Sequence, residues 1–138
     1  MAKTKIMIVE DEGIVARDIR NMVLGLGYEA TKVTSDAEEA IKTVKSEKPH
    51  LVLMDIMLSG KTTGVEAADV LYNQLNIPVV YLTAYADETT LQRAKETKPF
   101  GYLLKPFEER ELKSAIEIAL YKFKMEMKLK DRERWLFT

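Results

Sequence analysis

Five polar residues stand directly after short apolar runs in this sequence, and their side chains could carry chemistry. The apolar runs are residues 6–9, 51–54, 79–82 and 101–104. The polar residues that follow them are Glu10, Asp11, Asp55, Thr83 and Lys105. Short continuous apolar runs predict strands that are buried on both faces, as in a parallel sheet. Because the carboxyl ends of parallel strands lie along one edge, where open α/β sheets bind ligands, we expect these five side chains to converge.

Three of the five side chains are carboxylates, which would repel one another unless a cation neutralised them. A cluster of oxygen ligands without His or Cys suits a hard cation, and Mg²⁺ is the first candidate. With the ion held by Glu10 or Asp11, Asp55 could act as a carboxylate nucleophile toward a phosphoryl group. The ion, the Lys105 ammonium group and the Thr83 hydroxyl could then stabilise the phosphoryl oxygens.

The elements that must position these residues alternate along the chain. Helical patterns cover residues 14–26, 36–44, 65–75 and, more weakly, 87–96, and residues 28–33 form a further strand candidate. In the first of these helices we expect one apolar side to face inward, made of Ile14, Val15, Ile19, Met22, Val23 and Leu26. Asp36 stands where an N-cap residue is expected. A strand–helix alternation that occurs five times predicts an α/β fold, with a parallel sheet covered by helices on both faces.

One long helical pattern begins near Phe107 and continues toward Arg132 without Gly or Pro. Its apolar residues recur at threes and fours: Leu112, Ile116, Ala119, Leu120, Phe123 and Met127. This helix is longer than one layer of a small sheet needs, so we expect the part after about Lys124 to project. We predict a domain over residues 1–122 and a helical linker or tail over residues 123–138. The near-heptad spacing of Ile116, Leu120, Phe123 and Met127 leaves open a short coiled coil between protomers, although Lys130 and Arg134 occupy the next two seam positions.

The composition indicates one folded domain. The chain has 138 residues, of which 46% are hydrophobic, too many for a disordered chain. Lys and Arg total 21 against 22 Asp and Glu, so the net charge of −1 gives no general attraction to nucleic acid. The absence of cysteine excludes disulfides and thiolate metal sites. No signal peptide or membrane-spanning run is visible, and we expect a soluble cytoplasmic protein.

These residues and their order make the chain resemble the receiver domain of two-component response regulators. The resemblance extends from about Lys5 to Leu120, and its matching segments are Val9-Glu10-Asp11-Glu12, Leu53-Met54-Asp55, Leu82-Thr83-Ala84 and Tyr102-Leu103-Leu104-Lys105-Pro106-Phe107. It implies a doubly wound, five-stranded parallel sheet of order 2-1-3-4-5, the flavodoxin-like receiver fold, here with an extended C-terminal helix.

The resemblance also implies a role for each acidic residue. Asp55 would be the phosphoacceptor, and Glu10 and Asp11 would be the acidic pair that holds Mg²⁺ together with Asp55. The backbone carbonyl of Met57 would be a further protein ligand of the ion.

The remaining roles belong to the last two strand ends. Thr83, followed by Ala84, would be the switch hydroxyl, and Lys105 would pair with the phosphoryl group. Tyr102 would be the aromatic residue that turns inward on activation. Pro106 would follow a cis peptide bond.

By the same resemblance, the chain is a phosphoacceptor signalling domain that assists its own phosphorylation and dephosphorylation rather than an independent enzyme. The phosphoryl group would come from a histidine kinase or a histidine phosphotransfer protein. It would switch the surface formed by the fourth predicted helix (residues 87–96), the fifth strand (residues 101–104) and the fifth helix, which begins near Phe107. The segment 132–138 resembles the linker into sensory modules of multidomain kinases, so sensory or kinase domains could follow in a longer chain. The sequence leaves open a homodimer through the fifth helix or the C-terminal helix. We expect no direct contact with nucleic acid or membrane.

The sequence departs from the family pattern mainly after Asp55. Ser59 stands where a Pro is common, Thr63 stands where an Asp or Asn is usual, and the loop is about one residue longer. Met57 and Tyr85 are bulky and non-acidic, which leads to the hypothesis that they hinder the attacking water and slow loss of the phosphoryl group.

Four other interpretations each match only part of the sequence. A phosphatase with an aspartate nucleophile needs a second Asp where Met57 stands. The segment Gly60-Lys61-Thr62 imitates the end of a nucleotide-binding loop, but that motif requires a Gly where Asp55 stands. The single histidine, His50, begins a strand and is predicted to be structural rather than a phosphodonor. A binding scaffold that keeps the fold without phosphorylation is the alternative function, and the intact set of Asp55, Thr83 and Lys105 argues against it.

Overall fold

Five parallel strands form one sheet in the order β2-β1-β3-β4-β5, as the resemblance predicts. The computed structural model describes residues 3–56, 64–83 and 100–137. The strands are β1 (Lys5–Val9), β2 (Glu29–Ala30), β3 (Leu51–Asp55), β4 (Val79–Thr83) and β5 (Gly101–Leu104). β1 and β3 both lie in the interior of the sheet. Residues 6–9 and 51–54 within them are apolar without interruption and buried, because both faces of the sheet are covered.

The structure describes four helices: α1 (Gly13–Gly25), α2 (Ala37–Glu47), α3 (Gly64–Asn73) and α4 (Glu109–Phe137). The predicted cap of α2 is confirmed, because Asp36 Oδ1 accepts a hydrogen bond of 2.8 Å from the Glu39 amide. The predicted helix over residues 87–96 lies outside the described residues. None of the described helices is long and apolar enough to cross a membrane.

The core consists of two apolar layers, one on each face of the sheet. Residues that alternate along β1 and β3 divide between the layers, since neighbouring side chains in a strand point to opposite faces. Met7 and Met54 pack with α2 and α3, whereas Ile8 and Leu53 pack with α1 and α4. Each central strand is thereby held from both sides, which fixes the positions of the residues that follow it.

Two local predictions need correction. The strand expected over residues 28–33 pairs with β1 only at Glu29–Ala30, and an isolated bridge joins Val9 to Thr34. As an edge strand it has a partner on one side only, so local departures from pairing cost little. Ile14, placed on the inward side of its helix, is 81% exposed. It precedes Val15 by 100° of helical rotation, and Val15 takes the inward position.

His50 has a structural role, as predicted. Its Nδ1 accepts a hydrogen bond of 2.9 Å from the backbone amide of Lys5, which ties the start of β3 to the start of β1.

Candidate functional site

The carboxyl edge of the sheet brings the predicted residues together. Asp55 ends β3 and Thr83 ends β4, while Glu10 and Lys105 directly follow β1 and β5. The strands are in register at this edge: Val9 pairs with Met54, Asp55 with Leu82, and Thr83 with Leu104. The convergence expected from the sequence is therefore a consequence of parallel pairing.

Lys105 joins two acidic side chains across the sheet. Its Nζ lies 2.6 Å from Glu10 Oε2 and 3.0 Å from Asp55 Oδ2. Both carboxylate side chains are almost entirely buried, and only 17% of the Lys105 side chain is exposed. Charged hydrogen bonds of this kind are strong when water is excluded, so the three groups hold one another in place.

Asp11 brings a third carboxylate to the site. One ligand oxygen each from Glu10, Asp11 and Asp55 lies within 4.8 Å of the other two. Asp11 is exposed, whereas the other two are buried, so the cluster opens to solvent on the Asp11 side. Three carboxylate oxygens without a nitrogen or sulfur ligand are the donor set that Mg²⁺ prefers, and the residues present fit that ion.

The charge balance of the site affects its protonation. Burial raises the pKa of Glu10 to about 7, the neighbouring Asp55 contributes in the same direction, and Lys105 opposes the shift. Burial by itself would lower the pKa of Lys105, but its hydrogen bonds to Glu10 and Asp55 outweigh burial and raise that pKa. Lys105 thus keeps its positive charge, and the site holds more carboxylate charge than one lysine neutralises.

The last two strand ends surround this cluster. Thr83 is buried, and its carbonyl accepts a hydrogen bond of 2.8 Å from the Lys105 amide. The Lys105–Pro106 peptide bond is cis, which confirms that prediction. Tyr102 is 37% exposed, and its ring centroid lies 5.9 Å from that of the buried Tyr81.

Two predicted site residues, Met57 and Ala84, lie outside the described residues. The same holds for Ser59, Thr63 and Tyr85, on which the predicted departures from the family pattern depend. Their proposed roles stay predictions.

A cavity beside the site was not expected from the sequence. It has a volume of about 360 Å³ and lies between α1 and residues 105–107, which join β5 to α4. Its lining is mainly apolar and includes Val15, Ile19, Met22, Pro106 and Phe107, together with Lys105. The sequence feature that could have indicated an apolar surface here is the pair of adjacent apolar residues at the start of α1, Ile14 and Val15. They cannot both face the core.

Comparisons with known proteins agree with this geometry. A family model described as the response regulator receiver domain matches residues 6–117. The transcriptional regulatory protein PdtaR of Mycobacterium tuberculosis (strain CDC 1551 / Oshkosh) is 32% identical over 120 residues, which is 87% of this chain and 58% of that relative. The chain thus spans little more than half the length of this curated relative.

Solved structures give the same match. The signal receiver domain of a modulated diguanylate cyclase from Desulfovibrio desulfuricans G20 has a TM-score of 0.85 and 39% identity, covering 88% of this chain and 97% of that one. The receiver domain of the sensor histidine kinase PA1611 from Pseudomonas aeruginosa PAO1 has a TM-score of 0.77 and 27% identity, covering 86% and 98%. That second structure has a magnesium ion coordinated in its active site cleft.

Proposed function

This chain belongs to the response regulator receiver domain family, and on that basis we propose that Asp55 accepts a phosphoryl group from a phosphohistidine on a partner protein. The observation that carries the proposal is the contact of Lys105 Nζ with both Asp55 and Glu10 at the ends of three strands. This contact holds a cation beside the buried Asp55 carboxylate. A carboxylate that attacks a phosphoryl group needs such a cation to stabilise the phosphoryl oxygens.

In the proposed transfer, a carboxylate oxygen of Asp55 forms a bond to phosphorus. The bond between phosphorus and the histidine nitrogen of the donor breaks, and that nitrogen keeps the electron pair and takes up a proton. Lys105 then moves its hydrogen bond from the Asp55 carboxylate to a phosphoryl oxygen. The Thr83 hydroxyl offers a further hydrogen bond to that group.

We assign Mg²⁺ to Glu10, Asp11 and Asp55, with the backbone carbonyl of Met57 as the further ligand that the family suggests. When bound, the ion would supply positive charge to the carboxylates and to the phosphoryl oxygens. Support for this assignment comes from the three oxygens within 4.8 Å of one another and from the surplus of carboxylate charge.

The proposed switch links Asp55 to the surface through Thr83 and Tyr102. Tyr102 is partly exposed beside Tyr81, so it has room to move between an outward and an inward position. A phosphoryl group that bonds Thr83 would favour one Tyr102 position over the other by its differential contacts.

We further propose that the phosphodonor, a histidine kinase or histidine phosphotransfer protein, docks at the cavity beside Lys105. Ile14 of α1 is 81% exposed and precedes Val15, which lines this cavity, so it offers an apolar contact beside the cavity. Because Lys105 takes part in both the cavity lining and the acidic cluster, a protein bound there would lie close to Asp55.

The phosphoacceptor can be identified by trapping. The protein is incubated with Mg²⁺ and acetyl phosphate and then treated with borohydride, which reduces an aspartyl phosphate to homoserine. Peptide mass spectrometry should find homoserine at position 55. Homoserine at another aspartate, with residue 55 unchanged, would show that the wrong residue has been assigned.

A further inference from the structure

The C-terminal helix α4 extends well beyond the sheet it packs against. Its 29 residues correspond to about 44 Å, whereas a five-residue strand spans about 17 Å. A helical segment without tertiary contacts is marginal in water. The contacts that hold its second half therefore decide in which direction the chain leaves the domain.

Tyr72, near the end of α3, contacts this second half of α4. Its hydroxyl donates a hydrogen bond to Glu126 Oε1. Lys130, one turn further along, places its Nζ 5.3 Å from the centroid of the Tyr72 ring and 3.9 Å from Glu126 Oε1. A hydrogen bond to a carboxylate and a cation over an aromatic face both depend on precise placement.

The Phe100 ring packs against Tyr72, and the Phe123 ring of α4 packs against Phe100. The centroid of Phe100 lies 5.4 Å from that of Tyr72 and 5.7 Å from that of Phe123, the second pair being edge-on. Phe100 and Tyr72 are both buried. Burial and the Glu126 carboxylate raise the pKa of Tyr72 to about 12, so its hydroxyl keeps the proton that it donates.

We propose that Tyr72, Glu126 and Lys130 form a latch between α3 and α4, and that phosphorylation of Asp55 opens it. The coupling rests on the function proposed above. α3 begins at Gly64, nine positions after Asp55, and Tyr72 is its last residue but one. A helix moves as a rigid element, and a shift of about 1 Å at its far end is enough to take a hydrogen bond out of range. The state of Asp55 would thereby reach the second half of α4 through α3.

The latch can be tested by distance measurement, because the chain has no cysteine of its own. Spin labels are attached to Gln74→Cys and Lys128→Cys, which replace exposed residues of the α3 end and of α4. Tyr72→Phe keeps the ring and removes the hydroxyl, and it should broaden the interspin distance distribution at least twofold. Tyr121→Phe, at an exposed tyrosine of α4, is the matched control and should leave the distance distribution unchanged. An unchanged distribution in Tyr72→Phe would overturn the latch.

The coupling needs a second measurement on the same labelled protein. Mg²⁺ and acetyl phosphate should broaden the distribution as Tyr72→Phe does, and the Asp55→Asn protein should not respond. Intact mass gives the phosphorylated fraction of each sample. A phosphorylated sample with an unchanged distribution would overturn the coupling alone. A sample that takes up no phosphoryl group would overturn the proposed function and the coupling with it, while the latch itself is decided by the first comparison.

Discussion

Two buried carboxylates share one ammonium group at the edge of the sheet. Lys105 Nζ contacts Glu10 and Asp55 at 2.6 Å and 3.0 Å, and Asp11 adds a third carboxylate. A buried charge without compensation is costly, and one lysine cannot neutralise three acids. At the scale of single residues, this imbalance is the physical reason to expect a divalent cation.

Replacing Lys105 by Met should tighten Mg²⁺ binding about tenfold, because a charge that repels the ion and competes for its oxygens is removed. The same change should slow phosphorylation, since no ammonium group would then stabilise the phosphoryl oxygens. Calorimetric Mg²⁺ titration and the rate of adduct formation with acetyl phosphate measure the two effects. Lys113→Met, on the exposed side of α4, is the control. Weaker Mg²⁺ binding by Lys105→Met would contradict the assignment.

The protonation of Glu10 predicts a pH-dependent stability. Its pKa is about 7 in the fold against 4.5 for the free side chain, so the folded protein binds that proton more tightly. The resulting stabilisation is complete below about pH 4.5 and is lost as the pH rises through about 7.

Without metal, Glu10→Gln should therefore melt above the parent at pH 8, by about 10 °C, and close to it at pH 4. Thermal unfolding in the presence of a chelator measures the difference. With saturating Mg²⁺ at pH 8 the order should reverse, because the parent alone keeps the ligand. A difference that is the same at both pH values would show that the Glu10 carboxyl is not the titrating group.

The exposed Ile14 predicts a selective defect. Ile14→Asp should reduce phosphoryl transfer from a phosphorylated histidine protein about tenfold, because an apolar contact is replaced by a charge. Labelling by acetyl phosphate, which needs no docking, should be unchanged. Ile118→Asp is the matched control, since Ile118 is an isoleucine that is 51% exposed on α4. An equal loss of labelling with both donors would contradict a docking role and show that Ile14 supports the structure of the site.

At the scale of elements, the N-cap of α2 gives a direct stability prediction. Asp36→Ala removes the acceptor for the Glu39 amide and should lower the free energy of unfolding by about 1 kcal/mol. Asp36→Ser keeps an acceptor and should cost only a few tenths of a kcal/mol. Urea unfolding of both proteins measures the difference, and equal losses would mean that the cap is not made in solution.

Most elements could be predicted because their signal is local. The buried strands β1 and β3 are continuous apolar runs, and the carboxyl edge follows from parallel pairing. The length of β2 could not be predicted, since pairing at a sheet edge depends on few contacts. Lys105 and Glu10 stand 95 positions apart, and their convergence was predicted because both follow strands that end at the same edge. The contact between Tyr72 and Glu126, 54 positions apart, has no such signal in the sequence.

At the scale of the whole molecule, the order of the strands accounts both for the acidic cluster and for the place where α4 begins. Placing β1 between β2 and β3 sets Glu10 next to Asp55, and β5 at the edge delivers Lys105 to the same cluster. α4 begins just after Lys105 and leads away from the site along one face. In the proposed coupling, a change at Asp55 reaches the departing helix at its start, through Lys105, and at its second half, through α3.

The central claim is that Asp55 accepts a phosphoryl group with the help of a divalent ion. Its most direct test is the intact mass of the protein after incubation with acetyl phosphate, with Mg²⁺ or with a chelator, for the parent, Asp55→Asn and the exposed control Asp131→Asn. The account predicts one added phosphoryl group in the parent and in Asp131→Asn with Mg²⁺, and none with chelator or in Asp55→Asn. An adduct of equal extent in Asp55→Asn, or no adduct in the folded, Mg²⁺-bound parent, would contradict it.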